Sequence, residues 1–419
     1  MSDWEGITEV EFDSTTMQER SGIRELGAIC ADQVYDMIPL DPICRSLLRA
    51  IVRLPGPSHE ISLVRIVENV QNWDSAIDEA LKQGVLPMLY EHLTKHGLPI
   101  PADALERMKA EYDRNTFHSL TNAAELISVL QVFEERGIPA LPFKGVVLAE
   151  SVYGSVTSRS AGDLDLLVFF SDLERAASLL MERGYEIKAP ELSDGTPATD
   201  EQYELHLERP SDGMVLELRW RLELTKPRFR RELGMDWVWS RRQIALLAGS
   251  QVPDLDPERA LLVLCMHGAK HIWSRLIWVS DVARLLERHS NLNWSEVIRE
   301  AKRVGLWRPL ALGVLLAHRI TAAPVPGGIL RKFEADRAAL YLARHFDESL
   351  PQEPGRLPTA RIPYFIQLLD TRDRLGMIFS LNILRPKALD RAVIQLPKSL
   401  DFLYYAIRPL RILLDRSGR

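Results

Sequence analysis

The sequence predicts an α+β fold, with a small mixed-sheet unit flanked by all-helical regions on its N- and C-terminal sides. Three observations lead there. Apolar residues recur at helical spacing before residue 137 and again after residue 256. Between them lie short alternating or wholly apolar runs punctuated by turn residues, the pattern of strands. At 419 residues the chain is also too long for one ordinary core, so two or three domains are expected.

The elements follow in order. Residues 1–40 are polar, acidic and weakly periodic, and read as a loosely ordered leader. Residues 41–136 form the N-terminal helical domain, with Leu47, Leu48, Ile51 and Val52 on one face and Ile77, Leu81, Leu86, Leu89 and Leu93 on others. Asp74 and Thr121 stand where helix caps are expected. Residues 137–245 make the α/β core. It comprises a strand at 139–143, a helix at 146–153, a polar loop to Gly162, and a buried strand at 163–169. Asp172 then caps a helix that Gly184 ends, a strand follows from Tyr185, and two strands at 203–208 and 214–220 are joined by the Arg209-Pro210-Ser211-Asp212-Gly213 hairpin turn. Residues 246–419 return to helical spacing, with Leu261, Leu262, Leu264 and Cys265 in one helix and Ile277, Val279, Val282, Leu285 and Leu286 in another. Loops are expected at 324–328 and 351–358, and there is no internal repeat.

Composition narrows the function classes. A net charge of −6 argues against a protein that coats nucleic acid through its overall charge, while a local basic groove stays open. Cys30, Cys44 and Cys265 are far apart, a set that suits a reducing compartment better than a disulfide framework. The acidic start, Met1-Ser2-Asp3-Trp4-Glu5, is unlike a secretory signal. The best apolar run, 309–317, is too short for a transmembrane segment and is flanked by Arg308, His318 and Arg319. A cytoplasmic protein is expected. Residues 372–419 carry ten Lys/Arg against four Asp/Glu. A basic face for RNA or a membrane surface is one reading of that tail; a helical lid with its charges outward is the favoured one.

The chemistry concentrates in the middle. Asp163 and Asp165 are two apart on a strand, so both side chains leave the same face. Adjacent carboxylates repel unless a cation lies between them, and their hard oxygens suit Mg²⁺ together with waters and substrate phosphates. Glu217 alternates with Leu216 and Leu218 on the second hairpin strand and is placed to complete a metal clamp; Glu208 and Glu223 are the competing third acids. Lys144-Gly145 stands between a strand and a helix, where glycine permits close backbone approach to a phosphate and the lysine adds charge. Arg159 and Gly162 precede the acids, and Arg159 offers a further cation. This is the equipment of metal-assisted phosphoryl or nucleotidyl transfer.

Phe143-Lys144-Gly145, Arg159 and Gly162-Asp163-Leu164-Asp165-Leu166-Leu167-Val168 together resemble the signature of the DNA polymerase β-like nucleotidyltransferase superfamily. More closely, the chain is similar to a bacterial family of uncharacterised nucleotidyltransferases with K-G in the turn and an R-x-x-G-D-x-D core. The likeness extends to His267-Gly268-Ala269-Lys270-His271-Ile272-Trp273, to Trp278-Val279-Ser280-Asp281, to Leu396-Pro397, and to the tail at 402–409. The resemblance implies Mg²⁺ (or Mn²⁺) on the aspartates and an NTP such as ATP as donor. The acceptor, whether small molecule, protein or RNA, is left open. Two departures stand out: Val146 follows Gly145 where the superfamily usually has serine, and Arg219 precedes Trp220 where relatives tend to have histidine.

Other readings remain beside this one. His267 and His271 have the i, i+4 spacing of metal ligands, but Gly268 stands where a zinc protease needs its glutamate, so a structural or substrate-contacting pair is expected. Lys270 and Arg275 could serve a triphosphate, although solvated surface charge is the favoured reading. The alternatives to a transferase moving NMP to an acceptor hydroxyl or phosphate are a catalytically inactive nucleotide-binding or scaffold module, and a toxin-like transferase acting on tRNA or protein.

Overall fold

In the computed structural model, the described residues are 41–54, 59–160, 162–188, 204–222 and 233–349, together with 368, 403 and 404. The expected leader, the second loop at 351–358, Glu223 and nearly all of the basic tail lie outside them.

Helical spacing in the first region produces α1 (Pro42–Val52), α2 (His59–Val67), α3 (Trp73–Lys82), α4 (Leu86–Lys95) and α5 (Ala102–Glu135). Two expected caps are corrected. Asn72, not Asp74, caps α3 by accepting from the Ser75 amide at 2.9 Å, because the chain is still extended at Asn72 and already helical at Asp74. Thr121 lies inside the 34-residue α5, where its hydroxyl donates back to the Phe117 carbonyl instead of starting a helix.

The α/β unit follows as β1 (Ala140–Pro142), α6 (Gly145–Leu148), a π-helical turn at Ala149–Tyr153, β2 (Leu164–Val168), α7 (Leu173–Glu182), β3 (Glu186–Lys188), β4 (Glu204–Arg209) and β5 (Met214–Arg219). Among the described residues these strands form one five-stranded mixed sheet of order β1-β2-β5-β4-β3, in which only β2 and β5 run parallel. The hairpin turn closes as the sequence predicts. Gly213 adopts a φ of 72° and donates to the Arg209 carbonyl, while Asp212 accepts from the Met214 amide.

The sheet has two unlike faces. Leu164, Leu166, Val168, Leu216 and Leu218 belong to a core cluster with Ala123, Leu126, Val129 and Phe133 of α5 and Ala176 and Leu180 of α7. Asp165 and Glu217 point from the other face, and Asp163 precedes β2 by one residue. The α+β fold read from the sequence is therefore the fold seen. One element has no forerunner in the sequence pattern: β6 (Gln243–Leu247) and β7 (Ser250–Asp254) form a separate two-stranded ribbon after α8 (Met235–Trp239). Its tight turn uses Ala248 at φ 49° beside Gly249, and Ile244 and Leu246 face solvent, so both turn and alternation signals are weak.

The last region contains α9 (Pro257–Lys270), α10 (Leu276–Arg288), α11 (Trp294–Arg303), α12 (Trp307–Thr321), α13 (Gly327–Glu334) and α14 (Arg337–Ser349). The apolar run at 309–317 is the buried body of α12, and no helix among the described residues is long and apolar enough to cross a membrane. Helices from the two regions meet directly: the Leu54 amide donates to the Thr321 carbonyl, and Gln83 accepts from the amides of Leu276 and Ile277. Trp273 is wholly buried against Gly268 and Gly313, where an added Cβ would lie 2.4 Å and 2.9 Å from the indole. Glycine at both positions is a packing requirement. Gly268→Ala should therefore lower stability by about 1–3 kcal/mol, the usual cost of overpacking, as read by a denaturant midpoint at unchanged slope.

Asp254 at the end of β7 is 7% exposed, and burial pushes its carboxyl up to about 6, against the opposing pull of the Leu255 amide and of Gln243 and Ser151. Because its folded value exceeds the unfolded one, the protonated form favours folding. That contribution is full below about pH 4 and is lost as pH rises through about 6, up to about 3 kcal/mol at about 1.4 kcal/mol per unit. Asp254→Asn should raise the melting temperature at pH 8 and leave it unchanged near pH 4; equal shifts at both would contradict this.

Candidate functional site

The parallel pairing of β2 with β5 sets Leu164 beside Leu216 and Asp165 beside Glu217. That register places two acids next to each other on the face away from the core, and the bend at Asp163 brings in a third. One ligand oxygen from each of Asp163, Asp165 and Glu217 falls within 4.8 Å of the other two. Among the described residues this is the single cluster of that kind. The competing Glu208 pairs in register with Val215 near the hairpin turn and faces Lys188 at 3.7 Å.

Two cations border the acids. Lys144 Nζ lies 3.2 Å from Asp165 Oδ2, and Arg219 Nε lies 3.2 Å from Asp165 Oδ1. Arg219 also pairs with Glu217 and, at 2.7 Å, with Glu204. Both cations stand over the Phe143 ring, 5.0 Å and 5.9 Å from its centroid. Sequence reasoning missed Arg219 and Glu204 as site residues. The available signal was alternation, since Arg219 is two residues from Glu217 and shares its face.

These charges split the carboxyls. Asp165 is strongly desolvated, yet Lys144 and Arg219 hold its carboxyl below the usual range. Glu217 is pushed up to about 7, chiefly by burial and further by the neighbouring charges of Asp165 and Asp163, with Arg219 opposing.

Gly145 adopts a φ of 58° and its Cβ position lies 3.5 Å from the Asp163 carbonyl, so the turn into α6 sits against the first acid. Val146, at the position where serine is usual, is 1% exposed and belongs to the hydrophobic core. Its side chain therefore faces away from the acids. Gly162 offers its carbonyl to Asn122 Nδ2 at 2.7 Å. Arg159 differs from the expectation of a phosphate-facing cation: it is 7% exposed and makes a bidentate pair with Asp281, with Nε to Oδ1 at 2.8 Å and Nη2 to Oδ2 at 2.9 Å.

Helix α9 covers the other side. Phe143, Lys144, Arg219, Met266, His267 and Lys270 line one small cavity, so Lys270 belongs with the site and is not a remote surface charge. Burial, and next the Arg219 charge, lower its pKa. His267, His271 and Trp278 form an aromatic trio with ring centroids 4.6–5.5 Å apart. Burial and then Lys144 depress His267, and burial and then Lys270 depress His271 to about 4, so both rings are neutral at pH 7. The turn that joins α9 to α10 puts Ile272 and Trp273 at φ 55° and 50°, a left-handed conformation uncommon outside glycine. That backbone strain is held by the burial of Trp273.

No curated protein matches the chain. Among solved structures, an antigenic nucleotidyltransferase-like protein from Paracoccidioides brasiliensis aligns with 14% identity and a TM-score of 0.28, over 45% of this chain and 92% of that one. Residues 69–322, more than half of the sequence, match the family described as uncharacterised nucleotidyltransferase, with the acidic cluster, the glycine turn and α9 all inside the matched span. The chain belongs to that nucleotidyltransferase family.

Proposed function

We propose that the protein is a metal-dependent transferase that moves NMP from an NTP to an acceptor hydroxyl or phosphate. The observation that supports this most is the convergence of Asp163, Asp165 and Glu217 beside Lys144. The donor set suits Mg²⁺ or Mn²⁺: three hard carboxylates share one face, and in the protein alone Lys144 and Arg219 supply the compensating charge. A divalent cation held there would polarise the reacting phosphoryl group and neutralise charge on it.

The chain's own residues divide the remaining work. Lys144 and Lys270 offer positive charge to the donor phosphates around the small cavity that they line with Arg219. Gly145 keeps the turn backbone near the Asp163 carbonyl and free of a side chain that would obstruct a phosphate. Glu217 completes the clamp and stands ready to take the acceptor's proton. Neutral His267 lines that cavity and is backed by ring contacts with His271 and Trp278.

Asp163→Asn and Asp165→Asn should each abolish transfer, measured with labelled NTPs, Mg²⁺ or Mn²⁺ and a cell extract, followed by mass analysis of the labelled product. Their stabilities should differ. Asp165→Asn leaves Lys144 and Arg219 short of a buried partner and should destabilise by about 3 kcal/mol, the lower end for a broken buried pair. Asp163→Asn should melt like wild type. Full turnover in both variants would remove the site assignment.

Glu217→Gln should slow single-turnover chemistry by about 10²-fold or more with modest effect on NTP binding, whereas Glu208→Gln should be silent. Lys144→Ala should weaken NTP affinity by at least about tenfold, as expected for the loss of a charge-assisted phosphate contact. Equal calorimetric affinities for Lys144→Ala and wild type would exclude that contact.

A further inference from the structure

The Asp163 loop is tied down at each end by side chains from elements distant in sequence. At Thr157, the backbone carbonyl accepts from Asn115 Nδ2 of α5 at 3.0 Å. At Gly162, the carbonyl accepts from Asn122 Nδ2 of the same helix at 2.7 Å, and Asn122 is 5% exposed. Between them, Arg159 uses Nε and Nη2 on Asp281 of α10, and Nη1 on the Ser160 carbonyl at 3.0 Å. Asp281 is 1% exposed, and its Oδ1 also accepts from the Tyr153 hydroxyl at 2.8 Å. Tyr153 ends the π-helical turn that continues α6, and Ser280 Oγ lies 3.1 Å from the same tyrosine oxygen.

We propose that Arg159 and Asp281 are positioning residues: their buried bidentate pair fixes the loop that presents Asp163, and ties it through Tyr153 to the segment that begins at Gly145. This rests on the reading of Asp163, Asp165 and Glu217 as a metal site. Metal ligands must be held to within roughly half an ångström, and a loop does so only when its backbone is anchored. Three guanidinium nitrogens are already committed to protein acceptors, so Arg159 acts through the backbone and not on a phosphate. The planar fork matters as much as the charge, because lysine at this position could meet only one carboxylate oxygen at a time. The pair links an arginine four residues before the aspartates to an aspartate in α10, each supplying the other with counter-charge in a buried setting.

The test uses the full-length protein and Arg159→Lys, Asp281→Asn and Tyr153→Phe. Mn²⁺ binding is followed by electron paramagnetic resonance, amide exchange across residues 160–166 is followed without metal, and metal-free ATP binding is followed by calorimetry. Arg159→Lys and Asp281→Asn should weaken Mn²⁺ binding at least about tenfold and speed exchange in that segment, with metal-free ATP affinity unchanged. Tyr153→Phe should show a smaller change in the same direction. Ile51→Ala, a remote cavity variant, controls for lost stability and should retain wild-type Mn²⁺ affinity. A drop in metal-free ATP affinity with Mn²⁺ binding and exchange intact would overturn the proposal in favour of a phosphate contact. Equal losses of Mn²⁺ affinity in Ile51→Ala would overturn it in favour of general destabilisation. If wild type itself binds no Mn²⁺, the metal-site reading fails, and unchanged exchange at 160–166 in the variants would then refute the positioning role separately.

Discussion

Three carboxylates within 4.8 Å of one another cannot all stay ionised in a half-buried setting without positive charge among them. Much of the architecture around the sheet answers that constraint. Lys144 enters from the turn before α6 and Arg219 from the end of β5, and both contact Asp165, the most buried of the three acids. Where compensation is incomplete, the consequence is visible in Glu217, whose carboxyl is pushed up to about 7 by burial and by its acidic neighbours. A divalent cation would satisfy the same requirement with more charge in less space, which is the arrangement the proposed function calls on.

The sheet can host this cluster because its other face carries the folding energy. Leucines and valines on β2 and β5 pack against α5 and α7, so the alternate positions are released from core duty. The parallel β2–β5 register then aligns Asp165 with Glu217, whereas a one-residue slip would set Asp165 beside a leucine and turn its neighbours inward. Helices from both flanks finish the site. Asn115 and Asn122 of α5 hold the loop backbone, while α9 and α10 contribute Lys270, the aromatic trio and Asp281.

Alternation and turn chemistry made the local part legible in the sequence. The hairpin, Glu217 and the two aspartates all follow from period two and the Pro210–Gly213 turn, since each depends on residues a few positions apart. Partners far apart in sequence left no such trace. Arg159 reads naturally as a phosphate ligand until Asp281, 122 residues away, takes its guanidinium. Lys270 reads as surface charge until α9 is laid beside the glycine turn. Capping failed for a related reason: Asp74 and Thr121 have suitable side chains, but tertiary packing sets helix ends two residues earlier in one case and removes the end entirely in the other.

The motif around His267 shows how chemistry and packing share one short segment. Gly268 is excluded from bearing a side chain by Trp273, and Trp273 is held in a left-handed turn that glycine would adopt more readily. A tryptophan kept in that conformation is worth its strain only if its bulk is needed, and here it fills the space between α9 and α12. The same turn directs α10 back along α9, so that Trp278 meets His267 and His271, and Asp281, one turn further on, reaches Arg159. Burial and the nearby cations keep both histidines neutral, so neither ring adds positive charge beside the acids. The strained turn is thus the structural link between the packing of the helical region and the placement of the acidic cluster.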